Sequence, residues 1–216
     1  MKKSLLIGLL SAVMLSVSTV SAGASLLNIE FQGTGTSVPY HGLYAGYYDV
    51  TIDGELERLL CDDVAHTIYP GDNWQAQEFT FSDMQNGAIG KFTGLEKYSQ
   101  AGWLFGQMPS MIPLVQAQMQ AAIWTIMAPS AGVPLDGLAE RFFLQATDGS
   151  HDSFDWSNTM TVLTPSPLGS GQELLRHTTP VPEPSAFILF GSGLGVITMT
   201  MAWKRSRENI EANMAL

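Results

Sequence analysis

The chain is short of cysteine, of basic residues and of charged residues in general. Its 216 residues include a single cysteine, Cys61, and Asp, Glu, Lys and Arg together make up only 14% of the chain. One cysteine excludes an intramolecular disulfide and a zinc site built from several cysteines. Ten Lys and Arg residues stand against 20 Asp and Glu residues, and an acidic surface repels phosphate backbones. We therefore expect no disulfide framework and no nucleic-acid partner.

The N-terminus has the layout of a secretory signal peptide. Lys2 and Lys3 precede an apolar stretch over residues 5–17, and small residues follow at Ala22 and Ala24. A basic start, a short apolar run and an A-x-A-like end are typical of a segment removed after export. We predict a signal peptide over residues 1–24 and recognition by the secretion machinery.

The C-terminus carries a second apolar segment with different flanks. No charged residue occurs over residues 185–203, and Lys204, Arg205 and Arg207 follow at once. A helix of about 20 apolar residues spans the hydrocarbon layer, and a basic cluster stays on the cytoplasmic side. The pattern predicts a transmembrane helix over residues 185–203 and a basic cytoplasmic tail over residues 204–216.

A proline-rich motif stands directly before this segment. Val181, Pro182, Glu183 and Pro184, the apolar span and the basic cluster together resemble the PEP-CTERM sorting signal. The resemblance implies cleavage near the motif by an exosortase, a membrane transpeptidase of Gram-negative bacteria that make an exopolysaccharide matrix. It implies an inner-membrane intermediate and a final place at the cell surface or in the extracellular matrix. Residues 208–216 depart from the pattern, because such signals usually end at the basic cluster.

Between the two signals, the sequence predicts one exported domain over residues 25–164 and a linker rich in Pro, Gly, Ser and Thr over residues 165–184. Asp53-Gly54 supplies the residues of a tight hairpin turn, and Pro113 suits the first turn of a helix. The expected strands cover residues 26–32, 44–52, 55–61, 77–81 and 159–163, and the expected helices cover residues 93–108, 113–128 and 135–146. The predicted fold class is α+β: a β-rich domain, sandwich or barrel-like, with a helical insertion.

The lone cysteine has a partner segment that suggests chemistry. Cys61 ends a predicted strand, and Gln120 and Trp124 lie one turn apart on the second predicted helix. This combination resembles the thioester domains of bacterial surface adhesins. The resemblance implies that the Cys61 sulfur displaces ammonia from the Gln120 carboxamide, with Trp124 packed close by. Such a bond captures a surface amine or hydroxyl once, without turnover, so we expect no enzyme and no catalytic residues in the usual sense.

Other interpretations stay open beside the thioester. The segments around Cys61-Asp62-Asp63 and Gln120 to Trp124 also resemble a PEP-CTERM subfamily of unassigned function, which implies that they mark the fold and that Cys61 is a buried structural residue. The alternative function is a carbohydrate-binding or hydrolytic protein acting on the exopolysaccharide, with tyrosines stacking on sugars. Four acidic residues offer oxygen ligands for calcium, but their spacing matches no calcium-binding loop and solvated loops are the better interpretation: Asp62, Asp63, Asp72 and Asp83. We expect no metal and no cofactor.

The sorting interpretation predicts a processing defect. Replacing Pro182, Glu183 and Pro184 together by alanine removes the motif while leaving the span, so we expect an uncut precursor that stays in the membrane. Immunoblotting of membrane and extracellular fractions measures this directly. A triple alanine variant of Thr178, Thr179 and Pro180 is the matched control and should mature normally. Normal maturation of the motif variant would contradict cleavage by an exosortase at this motif.

Overall fold

A computed structural model of the protein describes residues 26–178. The predicted signal peptide, sorting motif, membrane segment and basic tail lie outside the described residues. The strands are β1 (Leu26–Gly33), β2 (Val38–Tyr40), β3 (Leu43–Ala45), β4 (Tyr47–Ile52), β5 (Glu55–Cys61), β6 (Asn73–Phe79), β7 (Met160–Pro165) and β8 (Leu174–His177). The helices are α1 (Phe81–Gln85), α2 (Leu95–Phe105), α3 (Pro113–Met127) and α4 (Leu138–Ala146), with 3-10 turns at Met108–Ser110 and Pro129–Ala131.

Six of the strands close into an antiparallel barrel. Their order around it is β1-β4-β5-β8-β7-β6, and β6 pairs with β1 to complete the ring. The β4–β5 hairpin turns at Asp53 and Gly54, whose φ angles are +50° and +91°. Two consecutive positive φ angles are the requirement of a type I′ turn. The sequence prediction of this hairpin is therefore confirmed, and closure leaves the barrel without a free edge.

Where the helices cover the barrel, the strands bury both of their faces, each in a different core. Along β5, Leu59 and Cys61 belong to the cluster inside the barrel, whereas Leu60 between them packs against the helices. The same alternation holds on β4, where Tyr48 lies inside and Tyr47 faces the helices. Successive side chains of a strand point to opposite faces. The side chain of Cys61 therefore belongs to the barrel interior.

All four helices come from one insertion between β6 and β7. Most of α3 is buried, and its predicted apolar stripe lies in the core formed with the barrel wall, where Val115 is partly buried and Met119, Ala122, Ile123 and Ile126 are buried. A second contact of α3 is with the β2–β3 hairpin, through a small cluster that contains Ala117, Ala121 and Trp124. Helix α3 thus lies between the barrel and this hairpin.

The predicted α+β class, β-rich with a helical insertion, is confirmed, and the β part is a barrel. The predicted linker over residues 165–184 needs correction, because β8 lies within it and pairs with both β5 and β7. The strand is only four residues long, and a Gly- and Ser-rich stretch precedes it. Its apolar pair, Leu174 and Leu175, is too short to give a periodic signal. Within residues 26–178, no helix is both long and apolar enough to cross a lipid bilayer.

A close contact between α2 and Trp156 predicts an unusual response to a glycine substitution. A Cβ atom at Gly102 would lie 2.8 Å from the Cβ of Trp156, which is fully buried. Alanine normally favours a helix over glycine by about 1 kcal/mol, but overpacking here costs more. We expect Gly102→Ala to lower the free energy of unfolding by about 1–2 kcal/mol. Urea unfolding measures this, with Glu96→Ala on the exposed face of the same helix as control. A stabilised Gly102→Ala protein would contradict the packing.

Candidate functional site

The three residues of the predicted thioester meet in the structure, at the end of β5. The side-chain amide of Gln120 donates a hydrogen bond to the main-chain carbonyl oxygen of Cys61, with an N–O distance of 2.6 Å. The indole N–H of Trp124 donates to the same oxygen at 2.9 Å. Cys61 and Gln120 are fully buried, and Trp124 is almost so. Helix α3 therefore attaches to the barrel at the residue that the sequence singled out.

The other end of the Gln120 carboxamide is held as well. Its Oε1 atom accepts a short hydrogen bond from the main-chain N–H of Gly46, between β3 and β4. Gly46 has a φ angle of +127°, and a Cβ atom there would lie 2.7 Å from the Cα of Ser37. Only glycine fits such a position without a shift of the backbone. The carboxamide is thus fixed in orientation, with an N–H group polarising its carbonyl.

The sulfur of Cys61 has different partners from the Cys61 carbonyl. Its Sγ lies 3.2 Å from the carbonyl oxygen of Asp63, to which the thiol donates, and 3.3 Å from the Asp63 N–H, from which it accepts. Burial, followed by the nearby carboxyls of Asp62 and Asp63, raises the pKa of the Cys61 thiol well above its ordinary value. The thiol is therefore neutral at physiological pH and is not a free thiolate nucleophile.

This arrangement brings the Gln120 carboxamide to the main chain of Cys61 and leaves the Cys61 sulfur on the main chain of Asp63. Gly46 polarises the Gln120 carbonyl, and complete burial keeps water away. Both are conditions that an activated acyl group would need. A bond between Cys61 and Gln120 would require the Cys61 side chain to leave the Asp63 backbone and turn towards the carboxamide carbon.

Beside the cysteine lies a buried acid cluster, which we define as Asp62, Asp63 and Glu173. All three residues are fully buried, so the sequence interpretation of Asp62 and Asp63 as solvated loop residues is wrong. Asp72 and Asp83 are exposed, as expected. Asp62 and Asp63 are buried because they directly follow Cys61, the buried last residue of β5. Asp63 is compensated by an ion pair with the Lys91 ammonium.

The other two acids of the cluster divide one proton and one charge between them. Glu173 accepts hydrogen bonds from the Tyr98 hydroxyl at 2.7 Å, from the Lys91 N–H at 2.7 Å and from the Thr164 hydroxyl. The carboxyl of Asp62 lies within hydrogen-bond reach of Glu173 and has no other hydrogen-bond partner among residues 26–178, so a proton on Asp62 can be donated to Glu173. Burial, then the carboxyls of Glu173 and Asp63, raises the pKa of Asp62 well above its ordinary range. Asp62 is therefore the neutral acid, and Glu173 carries the charge.

Sequence reasoning found Cys61, Gln120 and Trp124 but missed the residues that hold them. Gly46 gave no signal of its own, because its role depends on a contact with Gln120 across 74 positions. Lys91 and Tyr98 lie close together in sequence, but they meet Glu173 across 82 and 75 positions. In the described part of the chain, no group of three or more His, Cys, Asp or Glu residues is arranged to hold a metal ion.

Comparison with known proteins adds no relative to this picture. No protein-family model, no curated protein and no solved structure matches the chain.

The acid cluster predicts a stability that falls as pH rises. Because the pKa of Asp62 is raised in the folded protein, the folded state keeps a proton that the unfolded chain releases above about pH 4. Stability is therefore lost as pH rises through the folded-state pKa. Asp62→Asn, which has no charge to bury, should unfold at a higher temperature than the wild type at pH 8, with the difference vanishing near pH 4. Thermal unfolding followed by circular dichroism measures this.

Asp53→Asn is the control, because it makes the same aspartate-to-asparagine substitution at an exposed position of the β4–β5 hairpin. Hydrogen bonds from Asn28 lower the pKa of Asp53, so its contribution has the opposite sign and is lost as pH falls. A difference between Asp62→Asn and the wild type that does not vary with pH would contradict the assignment of the proton.

Proposed function

We propose that this chain is an exported cell-surface or extracellular-matrix protein, sorted by an exosortase, whose barrel domain attaches covalently to its target through a thioester between Cys61 and Gln120. The observation that carries the molecular part is the fixed carboxamide of Gln120. Both of its ends are hydrogen-bonded, and one of them is joined to the Cys61 carbonyl oxygen at 2.6 Å. The export part is supported by the signal-like segments at both ends of the sequence.

The proposed bond forms when the Cys61 thiol displaces ammonia from the Gln120 carboxamide. The Cys61 sulfur attacks the carboxamide carbon of Gln120, the carbon–nitrogen bond breaks, and the thiol proton leaves with the nitrogen as ammonia. The N–H of Gly46 stabilises the negative charge that develops on Oε1 during the attack. A target amine or hydroxyl then replaces the sulfur, which leaves an amide or ester at Gln120 and regenerates the Cys61 thiol.

A purely structural role for the same residues is the competing explanation. The hydrogen bonds from Gln120 and Trp124 to Cys61 hold α3 on the barrel whether or not the thioester forms. A buried, unsatisfied carbonyl costs about 1–3 kcal/mol, which is reason enough for both side chains. A hydrolytic function finds less support, because all three carboxyls of the acid cluster are fully buried and none faces a surface where a polymer could lie.

The intact mass of the purified protein tests the thioester. We expect the wild-type mass to fall short of the sequence value by one ammonia, and the full value to return in Cys61→Ala and in Gln120→Ala. Gln116→Ala is the matched control. Gln116 is a second buried glutamine of α3, and its amide donates to the Met108 carbonyl at 3.0 Å. This variant should keep the ammonia deficit.

Peptide mapping separates a bond that never formed from one that was lost. Hydrolysis of the thioester leaves a glutamate side chain at position 120, whereas an unreacted side chain is still glutamine. A wild-type protein of full mass, with glutamine at position 120 and a thiol that alkylates after unfolding, would overturn the covalent proposal in favour of the structural role.

A further inference from the structure

A pocket opens beside the candidate site, between the β2–β3 hairpin and the loop over residues 64–70. It encloses about 320 Å³, which is at the lower end of the range for small-molecule sites. Trp124 forms part of its wall. The same indole ring donates the hydrogen bond to Cys61, so the pocket and the thioester site share one side chain.

The walls of the pocket hold both of the exposed tyrosines of the protein. Of the six tyrosines in the chain, four are buried, with exposed fractions of 7% or less. The other two, Tyr44 and Tyr69, are 53% and 66% exposed, and both line this pocket. Exposed aromatic rings are enriched where one face contacts an apolar surface and the hydroxyl meets polar groups. Their convergence on one pocket indicates a ligand with an apolar face and a polar rim.

The lack of carboxylate, lysine and arginine side chains in the described wall of the pocket argues against a charged ligand. Across the described residues, no Asp, Glu, Lys or Arg lines it, although the domain as a whole is acidic. A cationic ligand finds no carboxylate there, and an anionic ligand is opposed by the field of the domain. A neutral ligand is therefore favoured.

Polar side chains also line the pocket, beside the aromatic rings. Thr34, His66 and Thr67 belong to its wall and are partly or fully exposed. Gln172 is in the wall as well, but its amide donates to the His66 carbonyl and its Oε1 atom is too deeply buried to meet a ligand. Hydroxyl groups of a neutral ligand can therefore pair with the two threonines and the histidine, which a purely apolar ligand would not use.

We propose that this pocket binds a neutral sugar unit beside Trp124, and that one hydroxyl of the bound sugar accepts the Gln120 acyl group. Gln120 itself is fully buried and does not line the pocket, so the transfer requires the site to open next to Trp124. A sugar ring has apolar C–H faces for Tyr44 and Tyr69 and hydroxyl groups for Thr34, His66 and Thr67. The acyl-transfer half depends on the proposed thioester, whereas the binding half does not. In that transfer the sugar oxygen bonds to the Gln120 carbonyl carbon, the carbon–sulfur bond breaks, and the hydroxyl proton ends on the Cys61 thiol.

Reversible binding is tested in the full-length Cys61→Ser protein, which forms no thioester. The protein is held in a zwitterionic detergent without a sugar headgroup and titrated calorimetrically with cellotetraose, mannotetraose and chitotetraose. We expect at least one neutral tetrasaccharide to bind saturably, and tetragalacturonate not to bind. Tyr69→Ala should weaken binding roughly fivefold, by loss of the ring contact. Leu56→Ala, equally exposed at 66% on β5 and outside the pocket, should leave binding unchanged.

The outcomes separate the pocket from the thioester. No saturable binding of any neutral tetrasaccharide, or equal loss in Tyr69→Ala and Leu56→Ala, overturns the sugar site. Wild-type protein incubated with the binding sugar should gain the mass of one tetrasaccharide at position 120. Binding in Cys61→Ser without that gain keeps the sugar site and overturns acyl transfer. Capture of methylamine by a wild-type protein that binds no sugar keeps the thioester and overturns the pocket.

Discussion

The carbonyl oxygen of Cys61 is the point on which the described structure depends. It lies at the buried end of β5, and two side chains of α3 donate hydrogen bonds to it, at 2.6 and 2.9 Å. Because the oxygen is cut off from water, losing either donor leaves a strong acceptor poorly satisfied. The same glutamine is bound to Gly46 beside the hairpin. One carboxamide therefore joins the barrel, the helical insertion and the β2–β3 hairpin.

Burying this junction also buries the charges that follow it in sequence. Asp62 and Asp63 come directly after Cys61 and are carried into the core with it. The chain compensates one of them with Lys91 and keeps the other neutral beside Glu173. This arrangement sets the chemistry of the cysteine, since carboxyls around a buried thiol disfavour the thiolate. The Cys61 thiol is therefore kept protonated by its surroundings.

Local patterns predicted the parts of the fold that depend on neighbouring residues. The Asp53-Gly54 turn, the start of α3 at Pro113 and its apolar stripe all follow from contacts within a few positions. Barrel closure does not, because β8 pairs with β5 across more than a hundred positions and has only four residues. The Cys61–Gln120 pairing was reached through resemblance and not through pattern. Gly46 and the acid cluster depend on contacts between distant segments, which no local pattern encodes.

The structural and the covalent explanations of the site make different demands on one side chain. A clamp needs only the Gln120 amide N–H and its carbonyl oxygen, and both are already in use. A thioester replaces that amide nitrogen by sulfur, so the bond to the Cys61 carbonyl is lost when ammonia leaves. The Trp124 N–H then remains as the donor to that oxygen. With two donors on one carbonyl, the barrel would keep a hydrogen bond at this junction if the carboxamide reacted, and the donor that stays, Trp124, is also part of the pocket wall.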